Sequence, residues 1–244
     1  MKTFLDLAAL PALKEDLRHA LPGARASDRI EALARGLGYN TYAALRAALA
    51  RGGVLVALDD LAFQAYLAAR GDPPNDRVLR RTLAKLDLRR AMDREADLTT
   101  AGFGVGWDRR ETAAVRREKK RQWRADLLHD VSADEFELAR LYVDQLVPRK
   151  TLNRDFSTYG LKHQAERLSR DRGIAAHLGN YVPNGVFIAA AISAGFTVKR
   201  CQPDDLNGFI NATTPSIRAA QTGQLIDRTT ASCVLGHALD IVTG

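Results

Sequence analysis

Residues 151–211 read TLNRDFSTYGLKHQAERLSRDRGIAAHLGNYVPNGVFIAAAISAGFTVKRCQPDDLNGFIN, and this stretch decides the fold of the C-terminal half. Either Ser157 or Thr158 can cap a first helix, because a hydroxyl oxygen can accept from the free N–H groups of the first turn. The apolar residues of that helix recur on one face, at Leu161, Ala165 and Leu168. The pattern predicts a short amphipathic helix.

A second helix and a hairpin follow. The helix begins at Asn184, is almost entirely apolar or small, and ends at Gly195, so we expect it to be buried. Residues 196–200 then favour a strand, 203–208 carry turn residues, and 209–211 favour the returning strand. The predicted unit is helix, helix, hairpin, which is the layout of a winged helix-turn-helix.

This layout makes nucleic-acid binding the first hypothesis for the unit. The connection between its helices is longer than a tight helix-turn-helix uses, and the second helix lacks the Arg, Lys, Asn or Gln side chains that read base edges. We therefore predict contacts to phosphates rather than bases. The residues predicted to make them are Lys162, Arg167, Arg170, Lys199 and Arg200. The alternative is a small α+β module with a solvated basic face.

Composition indicates a globular protein with polyanionic partners. The 244 residues are 46% hydrophobic, which suffices for one large or two ordinary domains, and the formal net charge is +7. No apolar run approaches the ~20 residues of a membrane span, and Asp6 interrupts what would be the core of a signal peptide. We expect a cytoplasmic protein with no membrane partner. The two cysteines, Cys201 and Cys233, lack zinc-site spacing, so we expect no metal and no cofactor.

The N-terminal region, residues 1–95, is predicted to be helical throughout. Periodicity indicates helices over Thr3–Ala20 and Val54–Arg70, among others. Between them, SDRIEALARGLGYNTYAALRAAL predicts a helical hairpin that turns at Gly38. This stretch resembles the N-terminal helical module of proteins labelled glyoxalase-related, mainly through Leu33–Tyr39. The resemblance implies the local fold only, since the His and Glu metal ligands of a glyoxalase are not visible in this chain.

Residues 96–108 are the one glycine-rich stretch, with glycines at Gly102, Gly104 and Gly106. Their spacing matches neither G-x-G-x-x-G nor a P-loop, and no predicted strand precedes them. We therefore predict a linker or hinge between domains rather than a nucleotide-binding loop.

The densest positive charge follows directly, in residues 109–124, where only Glu111 and Glu118 oppose it. A helix there would repel itself and would gain from a phosphate backbone, because neutralised phosphates release their counterions. An acidic protein partner and a merely solvated helix are the alternatives, while a membrane surface requires a broader apolar face. The residues predicted to contact nucleic acid are Arg109, Arg110, Arg116, Arg117, Lys119, Lys120, Arg121 and Arg124.

The phrase STYGLKHQAER followed by YVPNGVFIAAAISAGF, within residues 157–196, resembles a small domain of uncharacterised proteins from plasmids and integrative elements. The resemblance implies a mobile-element setting and no activity. Within it, His163 and Glu166 share a helix face and could serve general acid–base chemistry. A surface ion pair is the simpler interpretation, so no catalytic residue is assigned. The polar positions that could form a site are Tyr159, His163, Glu166 and Asn184.

Together these patterns predict a mainly α protein with a small C-terminal α+β, winged-helix-like module. The predicted divisions are 1–95 (helical domain), 96–108 (linker), 109–148 (basic and connecting helices), 149–212 (helix-helix-hairpin module) and 213–244 (C-terminal tail, which could dock on a second copy of the chain). The predicted function is non-catalytic binding of nucleic acid, DNA rather than RNA, in a bacterial mobile element. The alternatives are an inhibitor or assembly subunit whose basic helix meets an acidic protein, and a nuclease or hydrolase centred on His163.

Overall fold

The computed structural model describes residues 2–75, 77–106, 108–173 and 175–222. The protein is 57% helical with small antiparallel sheets, which confirms the mainly α class. Residues 223–244, which hold Cys233 and most of the predicted tail, lie outside the described part of the chain.

Helices dominate both halves of the chain. The N-terminal elements are β1 (Lys2–Leu5), α1 (Leu10–Ala20), α2 (Ala26–Gly36), α3 (Tyr42–Ala50), β2 (Val54–Ala57), α4 (Asp60–Ala68) and α5 (Val78–Arg94). The C-terminal elements are β3 (Leu98–Thr99), β4 (Gly102–Phe103), α6 (Ala113–Asp126), α7 (Asp130–Val143), β5 (Pro148–Ser157), α8 (Thr158–Arg172), α9 (Asn184–Ser193), β6 (Val198–Arg200), β7 (Gly208–Ala212) and α10 (Thr214–Thr222). Single 3-10 turns lie at Leu7–Ala9 and Ala176–Leu178.

The predicted helical hairpin near the N-terminus is confirmed as α2 and α3. Gly38 has a φ of +83°, a left-handed conformation that glycine adopts without strain, and it ends the first helix. The Thr41 hydroxyl oxygen accepts from the Ala44 N–H at 3.1 Å and caps the second. The two helices bury Leu33 and Leu45 in the N-terminal core.

Two predicted helices are shorter than the sequence indicated, because their first residues form a sheet. β1 pairs antiparallel with β2, with Thr3 opposite Val56, so neither Thr3–Ala20 nor Val54–Arg70 is helical throughout. The pairing buries Leu5 and Val56 in the N-terminal core. In an extended strand, alternate side chains point to the same face, so Leu5 and Val56 can both enter the core.

α9 lies at the centre of the C-terminal core, as its composition predicted. Every residue from Asn184 to Ile192 is buried, and the helix contacts α5, α7 and α8. The predicted hairpin is present as β6 and β7, but β5 adds a third strand in the order β5-β7-β6. The sequence analysis missed β5 because it is mostly polar and its register with β7 shifts twice.

The glycine-rich stretch 96–108 contains the β3–β4 turn, which packs tightly against α9 and the hairpin loop. A Cβ on Gly185 would lie 1.6 Å from the Thr99 carbonyl oxygen, and one on Gly102 would lie 2.0 Å from the Leu206 carbonyl oxygen. The Phe103 N–H also donates to Leu206 O at 3.0 Å. Backbone therefore meets backbone at this junction, and only glycine permits the approach.

We expect Gly185→Ala to lower the free energy of unfolding by about 3 kcal/mol, because backbone atoms cannot move aside as a flexible side chain can. Gly160→Ala is the matched control. It lies in α8, where a Cβ meets nothing closer than the Ser157 hydroxyl at 3.8 Å, so alanine there should stabilise by up to about 1 kcal/mol. Urea unfolding of both variants checks this. Equal effects at the two glycines would contradict the packing described.

Acids of α7 pair with Arg77, which lies just before α5, and with Arg81 within it. Arg77 donates to Asp134 at 2.9 Å and to Glu137 at 2.8 Å, and Arg81 donates to Asp134 at 2.7 Å. Burial alone would raise the pKa of Asp134, but these guanidinium bonds lower it overall. For its neighbour Glu135, burial and the Asp134 charge raise the pKa to about 7.

Because of Glu135, we expect the free energy of unfolding to decrease as the pH rises from weakly acidic to neutral. Its folded-state pKa lies above the ordinary value, so its stabilising contribution is complete below about pH 4.5 and is lost as pH rises through 7. We expect Glu135→Gln to be more stable than the wild type by about 1–2 kcal/mol at pH 8, a value reduced for solvent screening, and nearly equal at pH 4.5. Thermal unfolding across this range measures it; parallel pH profiles would contradict the assignment.

Candidate functional site

The basic helix predicted within residues 109–124 is α6, and it lies on the surface with no buried residue from Ala113 to Asp126. The Thr112 hydroxyl oxygen caps it by accepting from the Val115 N–H at 3.3 Å. Near its other end, the Arg124 guanidinium donates to the carbonyl oxygens of Ala96 and Leu98 at 2.8 and 2.9 Å. Arg124 therefore fastens the helix to the β3 segment.

Acids of this chain engage other cations of α6. Lys119 lies 3.1 Å from Glu111, and Lys120 lies 2.5 Å from Asp97. Arg200 on β6 reaches the second oxygen of Asp97 at 3.0 Å. The hydrogen bond from Lys120, together with both nearby charges, lowers the pKa of the Asp97 carboxyl. Asp97 thus joins α6 to the hairpin and brings two separately predicted groups of residues together.

The remaining cations of residues 109–124 differ in exposure, and two of them, Arg109 and Arg110, lie in the turn before α6. Arg121 is exposed and forms an i,i+3 pair with Glu118 at 2.6 Å, while Arg116 is half-buried and has an interaction within the chain. Arg109, Arg110 and Arg117 are exposed, and the described part of the chain offers their side chains no acidic partner. We call these three residues the outer arginines.

The cations predicted to bind phosphate in the helix-helix-hairpin module also differ in their exposure to solvent. Lys199 and Arg167 are exposed, and within the described part of the chain Arg167 has one long hydrogen bond, 3.4 Å, to the Gln164 side chain. Lys162 is different: it is 4% exposed and its ammonium lies 2.9 Å from Glu166. The Lys162 ammonium is therefore covered and already neutralised by an acid of this chain, an arrangement that does not favour the predicted contact with a phosphate.

Three donors converge on the buried Glu166 carboxylate, which organises the polar site. Lys162 Nζ and the Val182 N–H donate to one oxygen at 2.9 and 3.1 Å, and His163 Nδ1 lies 2.6 Å from the other. Burial alone would raise the pKa of Glu166, but these three bonds hold it below the ordinary value. With Nδ1 engaged, the His163 ring is oriented and its Nε2 is left for other partners.

Two tyrosines cover this charge cluster. Lys162 Nζ lies 5.1 Å from the ring centroid of Tyr159 and 5.0 Å from that of Tyr181, within the range of cation–π attraction. Tyr159 also meets the His163 ring edge-to-face at 4.7 Å. Yet Tyr159 and Tyr181 are themselves 53% and 61% exposed. The result is a pair of rings open to solvent above a buried ion pair. We call Tyr159, Lys162, His163, Glu166 and Tyr181 the tyrosine cluster.

Of the four polar positions predicted, three come together and the fourth does not. Tyr159, His163 and Glu166 belong to the tyrosine cluster. The side-chain amide of Asn184 instead donates to the carbonyl oxygens of Ala101 and Leu206 at 3.3 and 2.9 Å. Asn184 therefore holds the β3–β4 turn to the hairpin loop.

The sequence analysis missed Tyr181, because it lies on the loop between α8 and α9. The Ser169 hydroxyl holds this loop: its oxygen lies 2.7 Å from Gly179 O and 2.8 Å from the Asn180 side-chain oxygen, and its single proton is donated to one of them or shared between both. A usable signal was its position directly before the Val182-Pro183 start of α9, a helix that packs against α8.

Comparisons with protein-family models, curated proteins and solved structures find no match to this chain. Among the residues that the structure describes, no group of three or more His, Cys, Asp or Glu side chains could hold a metal ion. Within the same residues, no helix has the length and apolar character needed to cross a membrane. The site must therefore be interpreted from its own geometry.

We expect Glu166→Gln to lower the free energy of unfolding by about 3 kcal/mol at pH 7, because it leaves the buried Lys162 ammonium without a counter-charge. The folded-state pKa of Glu166 is lowered, so its contribution is present above about pH 4 and is lost as pH falls through the folded value. The difference between wild type and variant should close in acid.

Glu118→Gln is the matched control, because it removes an exposed ion pair with Arg121 and should change stability little. Chemical unfolding at pH 7 and at pH 3 compares the two variants. A Glu166→Gln variant as stable as the control at pH 7 would show that the carboxylate does not organise the cluster.

Proposed function

We propose that this protein binds nucleic acid without catalysis, chiefly through contacts to phosphates. The observation that supports it best is the set of outer arginines, three guanidinium groups that are exposed and lack acidic partners among the described residues. An arginine fork matches the phosphate group in geometry as well as charge. DNA is the first ligand to test, and the resemblance to plasmid proteins makes a mobile element the proposed setting.

A phosphate can also replace the acid in the neighbouring exposed ion pair between Arg121 and Glu118. Arg121 is 78% exposed at its side chain and Glu118 is 60% exposed. A pair so open to water contributes little to stability. A phosphate can therefore replace Glu118 at small cost, and the gain from released counterions increases with each contact. Arg117 and Arg121 lie four residues apart on one face of α6, so both can meet the same backbone.

We keep the winged-helix-like arrangement in this proposal, but with a different helix facing the ligand. In a winged helix-turn-helix α9 would be the recognition helix, but its residues from Asn184 to Ile192 are buried. α8 carries the exposed Arg167, and the hairpin carries the exposed Lys199. We therefore assign the ligand-facing role to α8 and the hairpin, with α9 as the core that supports them.

The test is the salt dependence of binding to unrelated duplex sequences. For Arg109→Gln/Arg110→Gln/Arg117→Gln, we expect weaker binding to every sequence and a slope of log affinity against log salt that is smaller by about 2–3. Fluorescence anisotropy at several salt concentrations measures both.

The matched control is Arg25→Gln/Arg46→Gln/Arg51→Gln, which removes the same charge from exposed arginines of the N-terminal half. This control should leave the slope unchanged. If both triple variants lose the same slope, net charge rather than a defined surface drives binding. If the wild type does not bind duplex at low salt, the proposal fails and the same helix is better assigned to an acidic protein partner.

A further inference from the structure

The tyrosine cluster has the composition of a platform for single-stranded nucleic acid, and we infer that it stacks unpaired bases. This inference rests on the proposed nucleic-acid binding and names the form of the ligand. It concerns a part of the surface that the outer arginines do not include. Its basis is the combination of two exposed rings, Tyr159 and Tyr181, with the oriented imidazole of His163 and the exposed guanidinium of Arg167. Tyr159, His163 and Arg167 share one face of α8, and Tyr181 lies on the following loop.

The exposure of the two rings is the first step. Tyr159 and Tyr181 each leave more than half of their surface in water, while Lys162 beneath them is almost fully covered. Both ring centroids lie about 5 Å from one ammonium nitrogen, so the rings lie within about 10 Å of each other. Aromatic faces this open and this close provide neighbouring surfaces for planar groups.

The rigidity of the cluster is the second step. Glu166 holds Lys162, His163 and the Val182 N–H at the same time, and the last of these fixes the backbone next to Tyr181. A buried ion pair is weak support for stability, since apolar residues of similar volume often do as well. Its clear effect here is to place one ring from α8 beside one ring from the following loop before any ligand arrives.

The charge beside the rings selects the ligand. Tyr159, His163 and Arg167 follow one another at four-residue spacing on α8 and so form a stripe about 12 Å long. The Arg167 guanidinium presents hydrogen-bond donors next to the aromatic faces. Bases stack on aromatic rings whatever their sequence, and the attached phosphates need such donors. A duplex hides the faces of its bases, so the stripe fits a single strand.

The experiment compares three labelled ligands of equal phosphate number by fluorescence anisotropy: a single-stranded oligothymidine, an abasic oligonucleotide and a duplex. For the wild type we expect the single strand to bind at least tenfold more tightly than the abasic ligand, because only the former offers bases to stack. A parallel oligouridine distinguishes RNA from DNA as the source of the single strand.

The variant Tyr159→Leu/Tyr181→Leu should lose at least tenfold in affinity for the single strand, with an unchanged salt slope and unchanged binding to the abasic ligand and the duplex. Tyr159→Phe/Tyr181→Phe keeps the rings and should lose far less. Phe4→Leu removes a comparably exposed ring, 50% exposed, from the N-terminal sheet and is the matched control.

Equal wild-type affinity for the single-stranded and abasic ligands would overturn the stacking inference while leaving phosphate binding intact. Equal losses in the Leu and Phe variants would overturn it as well, because the ring would then be irrelevant. A wild type that binds none of the three ligands would remove the proposed function together with the inference. Far-ultraviolet circular dichroism of each variant confirms that the fold is retained.

Discussion

A cation that is shielded from water needs an anion close by. This constraint distinguishes buried arginines, which are paired with carboxylates of the chain, from the exposed outer arginines. Arg77 and Arg140 are buried and reach carboxylates at 2.8 Å. Arg89, half-buried, lies 2.5 Å from Asp16. Separating such pairs would leave an uncompensated charge, so they are fixed parts of the fold. The outer arginines have no such requirement, and their charge is available to a ligand.

The same division separates framework from surface in the C-terminal half. Arg124 fastens α6 to the carbonyl oxygens near β3, and Asp97 joins Lys120 of α6 to Arg200 of the hairpin. The close backbone contact at Gly185 then sets α9 against the β3–β4 turn. Each of these contacts fixes the position of one helix or strand relative to its neighbours. What stays exposed on α6 and α8 is therefore held by a framework that does not depend on a ligand.

Local patterns predicted the local structure well. Helical spacing and a glycine stop identified α2, α3 and α9, and i,i+3 spacing placed His163 beside Glu166. Pairings between distant segments were missed: β2 is a short apolar run whose partner β1 is far away in the sequence, and β5 is polar with an irregular register. The burial of Lys162 was missed for the same reason, since the ring of Tyr181, on a later loop, lies 5.0 Å from its ammonium. Spacing along one helix cannot reveal what another segment places on top of it.

The central claim is that the fold leaves particular arginines free for polyphosphate, and arginine-selective labelling with phenylglyoxal, read by mass spectrometry with and without duplex DNA, tests it most directly. The account predicts that Arg109, Arg110 and Arg117 react in the free protein and are protected by DNA. It also predicts that Arg77, Arg89 and Arg140 resist labelling in both states. Protection confined to Arg25, Arg46 and Arg51, or no DNA-dependent protection at the outer arginines, would contradict it.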